Sequence, residues 1–407
     1  MPQSGTDFAS LSLFPATPEQ LIISRKRAWP MWGGGLTEEQ YLQRDDVMDV
    51  MEHAADGKLI TWVLAPRADP GTLDFMCSCE TFRRRGVLLP ATQDGKQGDL
   101  QEVPCYGVAS VFTPPWNRRK GYGSHMMSLL HWVIASRSPE FNLGEFPEAW
   151  GQPPPKVELA GDGHFSVLYS DIGSEFYNNS GPGGHKGGGW EVKEAFSTVW
   201  KVPQQPETTE EIEGGWSWLK ESDLQEVWDE EVGFIKDDLT GAPSTNTTSQ
   251  KTTVSFLPDK GVAAFQSVRA LFGRAGEVSM DIWGVKMDDP TSGGGSDRPT
   301  ITYATWSVDA RPPPPTLIVT RLRASERTFP GLLRKIQEAA RQSGIGKVEV
   351  WNLPGDLLKV ATELNGETFE RTEHLPAIRW YGKGLATKDV EWAFNEKSVL
   401  VIQFHCI

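Results

Sequence analysis

Cysteine is scarce in this chain, four among 407 residues, and that number supports no disulfide framework. Cys77 and Cys79 are one residue apart, while Cys105 and Cys406 stand alone. No paired knuckle with Cys or His partners is present, so no metal is expected. In the alternating run 75–81 both Cys77 and Cys79 fall on one strand face, the pattern of small buried thiols. Long apolar runs are also missing. The longest, such as 129–135, stops well short of the ~18 residues that a membrane span needs. The first twenty residues lack a basic stretch followed by an apolar core, so no secretory leader is expected. Basic charge is in deficit: 40 Lys and Arg stand against 54 Asp and Glu, a net −14. Such a surface displaces no counterions from a polyanion, which argues against nucleic acid as a partner. These absences predict a cytoplasmic protein that uses neither membrane nor nucleic acid.

What is present is a globular composition, 38% hydrophobic with sixteen Trp. At roughly 100–200 residues per domain the length predicts two or three domains. Residues 1–20 are rich in Ser, Thr, Pro and Gln and read as an irregular arm. Residues 21–203 form a first domain. The segment 204–251 is an acidic linker, with twelve acidic and two basic side chains between Glu207 and Asp238. Within it Trp216, Leu219, Leu224, Val227 and Trp228 recur at near-helical spacing and predict one docked amphipathic helix. Residues 252–407 form a second domain.

Thr37 and Gln40 have the spacing of a capping box and open a helix carrying Tyr41 and Leu42. Strands follow at 59–65, 74–82 and 105–112, then a helix at 124–135. A strand at 165–169, a helix at 174–179, a glycine-rich flexible loop at 181–189 and a closing strand at 191–202 complete the first unit. The second unit repeats the order, with strands at 278–285, 300–308 and 316–324, a helix at 330–343, a strand at 347–351, a helix at 355–365 and a strand at 377–381.

The two units differ in one respect. In the first, strand and helix are joined by Val111-Phe112-Thr113-Pro114-Pro115-Trp116-Asn117-Arg118-Arg119-Lys120-Gly121-Tyr122-Gly123-Ser124. Free N–H groups at a helix start form an anion cradle. Gly121 and Gly123 let the backbone approach an oxyanion, and Arg118, Arg119 and Lys120 add positive charge. The loop is neither a Walker A sequence nor a dinucleotide fingerprint. The corresponding stretch of the second unit, 325–331, has no G-x-G and should hold no pyrophosphate.

R-x-x-G-x-G after a strand, carried by Arg118, Gly121 and Gly123, resembles the pyrophosphate loop of the GNAT superfamily of N-acetyltransferases. With Leu168-Tyr169-Ser170-Asp171-Ile172-Gly173-Ser174-Glu175-Phe176-Tyr177, the chain resembles more narrowly the fungal L-lysine N6-acetyltransferases. The resemblance implies an α/β (α+β) GNAT fold: a central mixed, mostly antiparallel sheet flanked by helices, followed by a second, degenerate GNAT-like domain. It implies acetyl-CoA as co-substrate, with Val111, Phe112 and Thr113 pairing with the pantetheine arm and the loop from Arg118 through Arg119, Lys120, Gly121, Tyr122 and Gly123 to Ser124 at the pyrophosphate. It also implies that Tyr177 protonates the departing thiolate. Glu80, on the neighbouring strand, is the candidate base, since an amine must lose a proton to attack; a surface carboxylate is the alternative. Asp171 is a candidate for a substrate ammonium or a helix N-cap. His125 and His131 read as packing residues. The activity expected is direct acetyl transfer to a small amine, foremost the side chain of free L-lysine, in lysine catabolism. A polyamine, an amino sugar or a peptide lysine are alternative acceptors, and a non-catalytic acyl-CoA sensor or scaffold is the alternative class.

Overall fold

Two threonines start the N-terminal helices. Thr17 caps α1 (Pro18–Trp32) and Thr37 caps α2 (Glu38–Asp49), each in a reciprocal box with the Gln three residues on. The computed structural model describes residues 7–91, 98–141, 143–205, 215–241, 251–272, 280–288, 291–292, 299–309 and 314–397. Cys406 and residues 242–250 of the expected linker lie outside them.

The arm expected over 1–20 is not irregular where it is described. β1 (Leu11–Pro15) pairs antiparallel with β2 (Leu59–Pro66), and Leu11 and Leu13 point into the core. Its two-residue period is short enough to hide in a polar composition. β3 (Cys77–Leu89), β4 (Gln101–Phe112), α3 (Tyr122–Ile134), β5 (Phe165–Ser170) and α4 (Glu175–Asn178) follow. Cys77 and Cys79 are buried free thiols on the face covered by α3. His125 packs on Phe8 and Trp150, and His131 stacks on Trp190.

Next come β6 (Glu191–Val192), β7 (Phe196–Lys201), β8 (Trp216–Leu219), α5 (Leu224–Gly241), β9 (Thr252–Phe256), α6 (Ala264–Phe272), β10 (Gly284–Met287) and the short pair β11 (Thr291–Ser292) and β12 (Pro299–Thr300). β13 (Tyr303–Asp309), β14 (Thr316–Arg323), α7 (Phe329–Gln342), β15 (Lys347–Trp351), α8 (Leu358–Glu363), β16 (Glu367–Glu370), β17 (Leu375–Trp380) and β18 (Val390–Trp392) complete the order. The single docked helix expected from Trp216 onward is instead a strand followed by a helix. Trp216–Leu219 pairs with β10, and α5 begins at Leu224.

Two mixed sheets carry the fold. The first runs β1-β2-β3-β4-β5-β17-β6, with β9 joined to β3 and β18 to β9; the second runs β16-β7-β15-β14-β13-β10-β8. The strand expected at 191–202 does not close the first unit as one piece. β6 stays at the edge of the first sheet, while β7 crosses into the second, between β15 and β16. β17 makes the reverse crossing and takes the place beside β5. Hydrophobic patterning marks a strand but not its partner, so this exchange leaves no local signature. α3 packs on β1–β4 in one core and α7 packs on β13–β15 in another. The glycine-rich stretch 181–189 is tied down: Gly189 N–H donates to Asn178 O, and the Trp132 indole donates to Pro182 O.

Candidate active site

Two strands that part company create the site. β4 runs parallel to β5 through only Tyr106↔Ser166 and Gly107↔Val167. On its other edge β4 stays paired with β3, though the register slips between Ser78 and Glu80. Ser110 sits at this irregularity with φ +52°, a conformation that a non-glycine residue rarely adopts without a local reason. Beyond Gly107, the β5-facing edge of β4 therefore has no strand partner among the described residues. Val111, Phe112 and Thr113 lie along that edge.

The loop that follows delivers an open helix start. Asn117 Nδ2 donates to Met76 O at 3.1 Å and holds the loop to β3. Arg118 Nε donates to Thr113 O at 3.0 Å, so this arginine folds back on the loop, whereas Arg119 and Lys120 are exposed. Arg119 has φ +60° and Gly121 φ +82°. Gly121 is the N-cap of α3, and no side chain caps the helix. The N–H groups of Gly121, Tyr122, Gly123 and Ser124 have no acceptor among the described residues. An uncapped helix start with a positive end suits an anion, and the pyrophosphate of acetyl-CoA fits it.

On the face of β3 opposite α3, the helices α1 and α2 line a partly open cleft. Glu80 lines it, beside Ser110, whose hydroxyl donates to Glu80 Oε2 at 2.6 Å. Burial pushes the Glu80 carboxyl up to about 7, against the pull of Arg25 and the Ser110 hydrogen bond; Asp45 and Asp49 add to the rise. The surface-carboxylate alternative does not describe such a group. Arg25 of α1, buried, pairs with Asp49 at 2.6 Å and Asp46 at 3.1 Å. Arg44 pairs with Asp45 at 2.6 Å and stacks on Tyr41 at 4.3 Å. Sequence reasoning missed these lining residues and α1 itself. The Asp45-Asp46-x-x-Asp49 spacing on one helix was the available signal.

Tyr177 lies on the other side of the sheet. Its ring is 8% exposed, edge-on to Trp190 and Phe176. No hydrogen bond engages its hydroxyl among the described residues, and burial, then Asp171 and Cys79, push the phenol upward, so it holds its proton. Asp171 is not at the cleft that Glu80 lines. Its carboxylate accepts the His374 backbone N–H at 2.9 Å and lies 2.5 Å from the His374 ring. The structure thus brings Glu80 and Ser110 together and sets Tyr177 and the loop around α3, while Asp171 ties the end of β5 to the start of β17. Among the described residues no helix is long and apolar enough to cross a membrane, and no group of three His, Cys, Asp or Glu side chains could hold a metal ion.

A parallel pair that parts at Gly107, then a bulge, an uncapped glycine loop and a helix, is an arrangement of the GNAT fold. Residues 199–401 match the family described as the LYC1 GNAT-like C-terminal domain. The chain belongs to the GNAT superfamily, with a C-terminal half of this LYC1-like kind. It is 26% identical over 165 residues to a lysine acetyltransferase of Yarrowia lipolytica; the match covers 40% of this chain and 38% of that protein, well under half of the relative's length. Among solved structures, GCN5-related N-acetyltransferases of Kribbella flavida and Anabaena variabilis align over 91% and 90% of this chain. They cover 71% and 72% of their own chains, at 16% and 13% identity and TM-scores of 0.47 and 0.48.

Proposed function

We propose that the protein transfers the acetyl group of acetyl-CoA to the side-chain amine of a small substrate, foremost free L-lysine. The observation that carries the reading is Glu80, a carboxylate held up to about 7 at the wall of the cleft, against the bulge of β4. A base with that affinity takes a proton from an approaching ammonium near neutral pH and gives it up again readily. Ser110 fixes the carboxylate's orientation, and because Asp45 and Asp49 are paired with Arg44 and Arg25, Glu80 is the cleft carboxylate left to meet a cation. The free edge of β4 at Val111, Phe112 and Thr113 accommodates a pantetheine amide, and the N–H groups from Gly121 to Ser124 face the pyrophosphate. Acetyl-CoA supplies the acyl group as a thioester. Tyr177, protonated and without a hydrogen-bond partner among the described residues, is the donor to the departing sulfur. The name of the Yarrowia relative supports lysine as the acceptor.

The test is release of free CoA thiol from acetyl-CoA against L-lysine, ornithine, spermidine, glucosamine and a lysine-containing peptide. Saturable turnover with lysine alone supports the reading in full. Turnover with another member discards lysine and keeps the chemistry, and silence with acetyl-CoA still bound leaves a sensor or scaffold. Tyr177→Phe should lower kcat by roughly tenfold to a hundredfold with little change in acetyl-CoA affinity; an unchanged kcat removes Tyr177 from the mechanism.

A further inference from the structure

The acceptor cleft has two electrical ends. At one of them Glu80 is a carboxylate with no ion pair among the described residues, Asp45 and Asp49 being paired with Arg44 and Arg25. At the other, His53 lines the cleft from the turn after α2, and the residue is 1% exposed. Its ring is edge-on to Phe265 of α6 at 5.0 Å and tilted against Phe82 at 6.1 Å, and its Nδ1 has no partner among the described residues. Directly behind stands Arg84, 4% exposed, with its guanidinium over the Phe82 ring at 4.8 Å. Arg84 gives one N–H to the His53 carbonyl oxygen, while its Nε and Nη2 have no partner among the described residues. Among the described residues no carboxylate pairs with it.

A buried cation without a counter-charge is costly unless something else supplies the negative charge. Burial, with Arg84 and Lys58 nearby, pushes the imidazole down to about 3, so the ring is neutral and keeps one N–H to donate. Side chains two apart on a strand share a face, so Glu80, Phe82 and Arg84 stand in a row along β3. At about 3.3 Å per residue the Cα atoms of Glu80 and Arg84 are about 13 Å apart, with apolar Phe82 and Leu59 between the two ends.

We infer that the acceptor lies along β3 with its amine at Glu80 and a carboxylate at His53, whose N–H donates to it while Arg84 offsets the charge from the layer beneath. This inference rests on the reading of the cleft as the acceptor site and narrows the acceptor to an amine with a carboxylate across an apolar spacer. A polyamine, cationic at both ends, is then disfavoured by the same two residues. Because Phe265 comes from α6, the C-terminal half of the chain helps build this end.

Three amines separate the charges: L-lysine, 6-aminohexanoate, which lacks the α-amine, and cadaverine, which lacks the carboxylate. The wild type should use the first two with kcat/KM at least about tenfold above cadaverine, the effect of one hydrogen bond to a charged group. His53→Ala should raise the KM for lysine and 6-aminohexanoate and shrink that preference toward unity, and His53→Gln, which keeps a donor, should restore part of it. Equal use of cadaverine by the wild type, or an equal loss for all three amines in His53→Ala, overturns the inference. Calorimetric binding of the same amines reads the polarity without turnover. Binding of 6-aminohexanoate that is weakened in His53→Ala upholds the inference even where nothing is acetylated, an outcome that sinks only the catalytic reading. Equal binding of cadaverine overturns it.

Discussion

The run from β4 to α3 and the run from β14 to α7 are the same strand–loop–helix device put to opposite uses. Both strands leave their parallel neighbour early: β4 beyond Gly107, and β14 beyond Val319, where its pairing with β15 stops. In the first run the helix start is left open, with glycine at the N-cap. In the second it is closed from within. Ser325 Oγ accepts the Thr328 N–H, Ser325 O accepts the Phe329 N–H, and Pro330 brings no N–H at all. The space beside β14 is filled by the chain itself. Arg321, buried, meets Glu231 of α5 at 2.5 Å and Glu396 at 2.9 Å, and stacks on Phe394 at 4.6 Å. An anion site needs donors left unspent, and the second run has spent its own on structure.

The sharpest break of this contrast is Glu80→Gln, which removes the proposed base. We expect kcat/KM to fall by roughly 10²–10⁴-fold, the range of general base catalysis, with acetyl-CoA affinity little changed. The sign with pH follows from the raised carboxyl, which faces Arg25, Asp45, Asp49 and Ser110. Below about 7 Glu80 is protonated and idle, so wild-type kcat/KM should climb through that pH, and the limb should vanish in the variant. A pH profile unchanged by Glu80→Gln would reject the base.

Next in size is the loop. Gly121→Val with Arg118→Ala places a β-branched residue at φ +82° and frees the loop from Thr113. Acetyl-CoA affinity should fall about a hundredfold by calorimetry, since on the proposed reading the loop supplies the anion's donors. Replacement of Ser325 in the second half should leave that affinity where it was. Equal losses at the two loops would mean that the second half also holds the ligand.

The loop was legible in the sequence because its chemistry is local: glycines and basic residues between a strand and a helix can be seen in fourteen letters. The same holds for the Thr37 capping box and the shared face of Cys77 and Cys79. Glu80 could be placed on a strand, but its burial against α1 and α2 could not, because α1 carries no clean apolar stripe and holds a proline at Pro30. The exchange of β7 and β17 was invisible for a different reason. Each reads as a strand from its own residues, while the choice of partner is made by contacts more than a hundred residues away in sequence. Arg84 looked like one more basic residue in Arg83-Arg84-Arg85, and only the alternation of β3 turns it inward while its neighbours reach Asp162 and Glu102.

The plug beside β14 gives the next prediction. Burial alone would raise the Glu231 carboxyl, but Arg321 and Arg323 hold it below the usual carboxylate range. A carboxyl held down in the folded state stabilises above its unfolded value near 4.5 and loses that contribution as the pH falls. Glu231→Gln leaves two buried guanidinium groups short of charge and should cost about 3–5 kcal/mol in denaturant unfolding at neutral pH, with the deficit narrowing in acid. A cost below about 1 kcal/mol would show that Glu396 and Asp238 suffice, and that the plug is held by packing.

The smallest effect tests whether the closed helix start is closed by Ser325. Ser325→Ala removes the hydroxyl that accepts the Thr328 N–H and should cost about 1 kcal/mol, as the loss of a helix cap does. The backbone bond from Phe329 to Ser325 O remains, which keeps the loss small. The informative control is at the other loop, where Ser124→Ala touches no cap, since Ser124 Oγ faces Ser180 Oγ at 3.1 Å. Unfolding should then separate the two serines, with a loss at 325 and little at 124, while acetyl-CoA affinity responds to neither hydroxyl because the first loop binds through its backbone. A drop in affinity at Ser124→Ala would add that side chain to the cradle, and a neutral Ser325→Ala would leave Pro330 and the backbone as what closes the second helix.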